Sequence, residues 1–302
     1  MLQSFRQVGK SENFNPHSDE GNIGSWEVVK NRVKSVQKLL ILLLVIAWLS
    51  GCEFPSRNAT PKPTELYVYA AASLTEAFGE IGAAFESTHP GVVVVFNFAG
   101  SQQLAQQIDQ GAAADVFASA NQLQMEVLVT AGLVRQDSVR TFARNRLVVI
   151  FPIDNPGGLT SLQDLAKPGL HLVLAAKEVP VGQYTLEFLN KAAQDDRFGT
   201  SYRQALLANV MSYENNVKAV FTKVALGEAD AGIVYSSDVI EAQASEIGEI
   251  DIPEDLNVIA VYPAAPVISS HHMNLANTFL DFVLASQAQA ILAKYGFVAP
   301  KP

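Results

Sequence analysis

Cysteine is almost absent from this chain: Cys52 is the only one in 302 residues. That excludes an intrachain disulfide and any metal site built from cysteines alone. Histidine is scarce too, with five residues. His17 falls in an N-terminal leader. His89, His171, His271 and His272 stand in no nucleophile-activating or helical metal-ligand spacing, and the adjacent His271 and His272 make a poor ligand pair. No Gly-x-Ser-x-Gly string, His-Glu-x-x-His string or glycine-rich phosphate loop occurs. The chain is therefore not expected to be an enzyme, and no cofactor is expected. Positive charge is in deficit as well, 21 Lys and Arg against 30 Asp and Glu, for a net −9. Nucleic acid is an improbable partner for such a chain. A long apolar run is missing at the one place that resembles a membrane segment. Residues 39–49 supply 11 apolar positions, whereas a membrane-spanning helix needs about 20.

What surrounds that run is informative. Lys30, Arg32, Lys34 and Lys38 precede it, and Leu49-Ser50-Gly51-Cys52 comes directly after. A basic segment, a short apolar segment and small residues before a processing point describe a secretory signal. The Leu-Ser-Gly-Cys end matches the bacterial lipobox, in which the cysteine is lipidated and becomes the mature N-terminus. A buried helix with a chance cysteine is the plainer alternative. On the first reading Cys52 anchors the protein to the outer face of the cell membrane, periplasmic or otherwise extracytoplasmic. Residues 52–64 form a flexible, proline-bearing tether. Residues 1–29 are polar and precede the basic segment, so either the leader is long or translation begins near 28–33. Excluding 1–51 leaves 15 Lys and Arg against 26 Asp and Glu, so the mature part is near −11.

From Glu65 onward short β-rich runs alternate with amphipathic stretches. Strands are predicted at 66–70, 92–98, 116–118, 146–151, 172–175 and 231–235. Helices are predicted at 74–85, 104–110, 122–131, 184–193, 202–208, 217–226 and 273–285. Alternation with continuous apolar strands means an α/β fold with mostly parallel sheets. About 250 residues exceed one open sheet, so two lobes with a cleft at the strand carboxyl ends are expected. The lobes are read as 65–143 and 144–235, with 236–302 crossing back to complete the first. The stretches 145–148 and 235–238 are the expected crossovers.

Four strand-to-helix turns could carry chemistry. In Ala71-Ala72-Ser73-Leu74-Thr75-Glu76, Ser73 stands where a helix cap belongs, with Glu76 at capping-box distance. Small neighbours also leave room for a ligand at the helix start. Gly100-Ser101-Gln102 repeats that plan. Val179-Pro180-Val181-Gly182 and Asn215-Asn216-Val217-Lys218 place Val181 and Val217 at helix starts, where backbone N–H groups lack partners. Tyr235 ends an apolar strand and is either a core-edge tyrosine or a hydroxyl aimed into the cleft. Asp115 reads as a turn or lobe-support residue rather than a catalytic base.

Six strings occur in one order: 71–78 (Ala-Ala-Ser-Leu-Thr-Glu-Ala-Phe), 100–108 (Gly-Ser-Gln-Gln-Leu-Ala-Gln-Gln-Ile), 114–120 (Ala-Asp-Val-Phe-Ala-Ser-Ala), 179–184 (Val-Pro-Val-Gly-Gln-Tyr), 216–220 (Asn-Val-Lys-Ala-Val) and 231–238 (Ala-Gly-Ile-Val-Tyr-Ser-Ser-Asp). In that order the chain resembles the bacterial molybdate-binding proteins of ABC transporters from Glu65 to Pro302. The resemblance implies a two-lobed type II periplasmic-binding-protein fold and, as partners, a molybdate or tungstate oxyanion and an inner-membrane permease. A monomer is expected. It further implies that Ser73, Ser101, Val181, Val217 and Tyr235 hold the oxyanion, with molybdenum bound only in that form. The chain departs from many members at Ala175-Ala176-Lys177-Glu178, where Asp-Pro is common, which leaves open whether Lys177 reaches the site. A donor-only site favours a fully deprotonated dianion, because a protonated oxyanion such as hydrogen phosphate leaves its O–H unpaired at about 1–3 kcal/mol. Rival readings are a receptor for another oxyanion such as sulfate, a hydrolase using Ser73 or Ser101, and a lipidated structural module.

Overall fold

The computed structural model describes Val36, Lys38, Leu40 and residues 62–239 and 246–300. The chain divides into the units Met1–Thr60 and Pro61–Pro302, and the second holds both sheets. Cys52 and nearly all of the expected signal lie outside the described residues. No helix among the described residues is long and apolar enough to cross a membrane.

Two five-stranded sheets organise the second unit. The first has the order β2-β1-β3-β10-β4, built from β1 (Thr64–Ala71), β2 (Val92–Ala99), β3 (Val116–Ala118), β4 (Arg140–Asn145) and β10 (Ala260–Pro266). The second has the order β7-β6-β8-β5-β9, built from β5 (Leu147–Pro152), β6 (Leu172–Ala175), β7 (Val210–Glu214), β8 (Ala231–Tyr235) and β9 (Ile247–Asp251). Strands β3, β6 and β8 are buried along their whole length, as expected of central strands covered on both faces. Helices α1 (Thr75–Thr88), α2 (Ser101–Asp109), α3 (Gln122–Thr130), α7 (Met273–Leu284) and α8 (Ser286–Lys294) belong to the first lobe. Helices α4 (Pro180–Ala192), α5 (Tyr202–Ala208) and α6 (Val217–Ala225) belong to the second.

Each sheet contains one strand running against the rest. In the first it is β10, antiparallel to both β3 and β4; in the second it is β5, antiparallel to both β8 and β9. These are the strands that enter from the other lobe. A strand arriving from across the cleft starts at the edge where its new neighbours end, so it must run opposite to them. Asn145 ends β4 and Leu147 begins β5, leaving Arg146 as the first crossing. The second runs through residues 252–259.

Two asparagines fasten these crossings. Asn145 Nδ2 donates to Ser237 Oγ at 2.7 Å, and its Oδ1 accepts from the Ser236 hydroxyl at 3.0 Å. Asn257 Oδ1 accepts from Leu147 N–H at 3.0 Å, and its Nδ2 donates to Leu147 O at 2.9 Å.

The expected return of 236–302 to the first lobe needs correction. Strand β9 pairs with β5 in the second sheet, so Ser236–Asp238, a 3₁₀ turn, is not a crossover. Ile247, Gly248, Glu249, Ile250 and Asp251 form a short edge strand with polar outward residues, which carries little hydrophobic signal.

Candidate functional site

The strand carboxyl ends of both sheets face one small cavity. The first lobe contributes Ala71, Ala72, Ser73, Ala99, Gly100, Ser101 and Ala120, and the second contributes Val179, Pro180, Val181, Asn216, Val217 and Tyr235. All five residues singled out in the sequence therefore border a single space. No carboxylate and no lysine or arginine is among these lining residues.

Ser73 does not cap a helix. It lies in a 3₁₀ turn, Ala72–Leu74, and the N-cap of α1 is Leu74, with no side-chain cap bond. Glu76 makes no capping box; it pairs instead with Lys218 at 2.8 Å. The Ser73 hydroxyl meets the Tyr262 hydroxyl at 3.0 Å, in a buried setting. Ser101 is the first residue of α2, after Gly100. Its Oγ accepts from the Ala120 N–H at 3.0 Å, which leaves the Ser101 proton to donate into the cavity.

Val181 is the second residue of α4, behind Pro180, and Val217 the first of α6, behind the N-cap Asn216. Asn216 Oδ1 accepts from Ala219 N–H at 2.9 Å. N–H groups in a first helical turn have no intrahelical acceptor, and the helix dipole places positive potential there. Gly182 is required behind Val181, since a Cβ would overlap the Ala176 carbonyl oxygen.

The Tyr235 hydroxyl is buried and has no hydrogen-bond partner among the described residues. Its ring stands edge-on to Tyr262 at 5.8 Å and to Tyr184 at 6.5 Å, but the hydroxyls of Tyr235 and Tyr262 do not meet in hydrogen-bonding geometry. Burial raises both hydroxyls far above the usual tyrosine range, and it pushes Tyr184 up to about 12. All three stay neutral and protonated. A buried, unpaired O–H donor costs about 1–3 kcal/mol, and here it borders a cavity lined by other donors.

The lobes meet around this space. Gln102 Nε2 donates to Asn215 O at 2.8 Å, and Asn121 Nδ2 donates to Gln183 Oε1 at 2.8 Å. Gly100 sits so close that a Cβ would overlap the same Asn215 oxygen. Lys218 lies between Glu76 Oε2 and Asp238 Oδ1, 3.6 Å away. Asp238 is buried and accepts from Tyr235 N–H at 3.1 Å; burial lifts its carboxyl to about 6 against the opposing pull of Lys218 and that N–H.

Other sequence candidates lie elsewhere. Lys177 is exposed, pairs with Glu178 at 3.8 Å and lines a separate apolar depression rather than this cavity. His271 and His272 border another depression with Asp115, and no group of three metal-ligating side chains is arranged for an ion among the described residues. Asp115 joins elements: its oxygens accept from Tyr67 N–H at 2.8 Å and from the Ser270 hydroxyl at 2.5 Å. Tyr262, Lys218 and Asp238 were not predicted from sequence to bear on the site. Lys218 and Asp238 stand inside two of the ordered strings, the only signal that pointed to them.

The family model for the bacterial extracellular solute-binding proteins matches residues 66–298. The chain belongs to that family, whose members bind solutes and are not enzymes. Among its relatives is the molybdate-binding protein ModA of Mycobacterium tuberculosis, 37% identical over 266 residues, covering 86% of this chain and 97% of that one. The periplasmic molybdate-binding protein of Azotobacter vinelandii superposes with a TM-score of 0.67 at 24% identity, over 78% of this chain and all of that one. The sulfate-binding protein SubI of Mycobacterium tuberculosis superposes with a TM-score of 0.70 at 20% identity, over 79% and 88% respectively. At those identities the two structures speak for the fold alone.

Proposed function

We propose that the protein is an extracytoplasmic receptor that takes up molybdate, and tungstate with it, and delivers the anion to an ABC transporter permease. The observation that carries this reading is the donor-only cavity. Three hydroxyls, of Ser73, Ser101 and Tyr235, and the helix-start amides of Val181 and Val217 border it, with no acceptor carboxylate among the lining residues. A protein with a net charge of −9 cannot attract an anion through its overall field. It must use oriented local dipoles, which cost no reorganisation when the ligand arrives. A dianion with no proton of its own satisfies every donor.

The 37% identity to a molybdate-binding protein supports molybdate as the ligand. Lipidation at Cys52 and attachment to the membrane form part of the same proposal and rest on the lipobox. Titration calorimetry with molybdate, tungstate, sulfate and phosphate tests it. Tight binding of the first two, with phosphate rejected, is expected; binding of phosphate alone would sink it. A sulfate receptor is the second reading, because a cavity without an acceptor carboxylate also suits that dianion, and the same titration separates the two.

A further inference from the structure

Ser73 and Ser101 are both placed to hold a ligand with their hydroxyl protons, yet a serine hydroxyl rotates and can accept as readily as donate. For Ser101 the Ala120 N–H occupies one lone pair of its oxygen and leaves its proton to point elsewhere. For Ser73 the matching group is the side chain of Tyr262, 189 positions away and 3.0 Å from Ser73 Oγ.

We propose that Tyr262 is a positioning residue for ligand capture: it donates its hydroxyl proton to Ser73 Oγ, and so turns the Ser73 proton toward the bound oxyanion. This rests on the reading of the cavity as an oxyanion site. Hydrogen-bond accounting favours that direction. Tyr262 is fully buried, and Ser73 Oγ is its one hydrogen-bond partner in good geometry among the described residues. Were Ser73 the donor, no acceptor in good geometry among the described residues would remain for the Tyr262 proton. With Tyr262 as donor, the Ser73 proton is free to point into the cavity that Ser73 borders.

The geometry is rigid where this role needs rigidity. Tyr262 stands at an irregularity in β10, where the register against β4 shifts between Tyr262 and Pro263. Such bulges re-aim a side chain. The ring is then held edge-on by Phe297 at 5.3 Å, Tyr235 at 5.8 Å and Phe142 at 6.2 Å. A hydroxyl on a ring packed from three sides cannot swing away from Ser73. Donation into Ser73 Oγ also polarises its O–H and strengthens the bond it makes in turn.

The test is a double-mutant cycle read by titration calorimetry with molybdate, using wild type, Tyr262→Phe, Ser73→Ala and the double variant. Tyr262→Phe keeps the ring and its packing and removes one oxygen. It is expected to weaken binding about tenfold, the equivalent of one lost hydrogen bond. In the Ser73→Ala background the same change should cost less than about twofold, because no hydroxyl remains to be aimed. In a Ser101→Ala background the tenfold loss should persist. Wild-type affinity in Tyr262→Phe, or equal losses with and without Ser73, overturns the inference and leaves the oxyanion reading intact. A wild-type protein that binds no member of the oxyanion panel overturns both.

Discussion

Lys218 Nζ lies 2.8 Å from Glu76 Oε2, so the residue after Val217 is ion-paired to the third residue after Ser73 across the cleft. The two lobes are thus joined by charge within one helical turn of the proposed ligand donors on each side. Helix α6 also packs against the Ala72–Leu74 turn. The contact that joins the lobes and the proposed site are thus built from the same two segments.

Removing that link should loosen closure without touching the ligand. Lys218→Met and Glu76→Gln are each expected to weaken oxyanion binding by up to about fivefold, since a partly exposed pair is worth about 0.2–1 kcal/mol. The loss should appear mainly as faster release in stopped-flow measurements. Affinities and release rates equal to wild type in both variants would show the pair to be incidental.

Gly100→Ala carries a larger penalty of a different kind. The added Cβ overlaps the Asn215 carbonyl oxygen of the facing lobe, so the lobes can no longer meet there. Binding should fall by more than about a hundredfold, an effect near 3 kcal/mol, while the melting temperature of the ligand-free protein stays close to wild type. An unaltered dissociation constant would mean that the cleft closes elsewhere.

Tyr235→Phe should separate binding from stability. Its hydroxyl has no partner among the described residues, so its removal relieves a buried unpaired donor. Denaturation midpoints should hold or rise, by up to about 1 kcal/mol, while molybdate affinity drops about tenfold. Ser101→Ala should lose a similar factor in affinity. Full affinity in Tyr235→Phe would remove that residue from the proposed site.

Asp238 predicts a pH dependence with a definite sign. Burial lifts its carboxyl from 3.8 to about 6, so the folded protein takes up this proton before the unfolded chain does. The resulting stabilisation is fully present below pH 3.8 and is lost as pH rises through 6, amounting to about 3 kcal/mol at 1.36 kcal/mol per pKa unit. Asp195, held at about 2 by Arg197, acts oppositely and only at lower pH. Urea unfolding of wild type and Asp238→Asn at pH 5 and 7.5 isolates the effect. The difference between the two proteins should widen at pH 7.5, with the variant the more stable; a constant difference refutes it.

Much of the fold was legible because central strands are apolar throughout and helices carry a one-sided period. Ala231 to Tyr235 is an example, every residue buried. Strand β10 was not, since Pro263 and Pro266 argue against a strand that in fact lies between two partners. It is tolerated because β10 bulges at Pro263. Strand β4, with Arg140, Arg144 and Asn145, and edge strand β7, with alternating half-buried residues, escaped for want of an apolar pattern. The turns bordering the cavity were visible as small residues before helix starts. Tyr262 was invisible for a plain reason: nothing local marks a side chain whose partner is 189 positions distant.

The last residue of β8 pairs with the first residue of β5, Tyr235 with Leu147, one step beyond the first crossing at Arg146. A lever moves least beside its fulcrum. Were the lobes to swing about the crossings, Tyr235 would travel a shorter arc than the starts of α4 and α6. If the cavity holds the proposed oxyanion, the phenol would then offer it a nearly stationary seat, and the backbone amides would descend on it as the jaws come together.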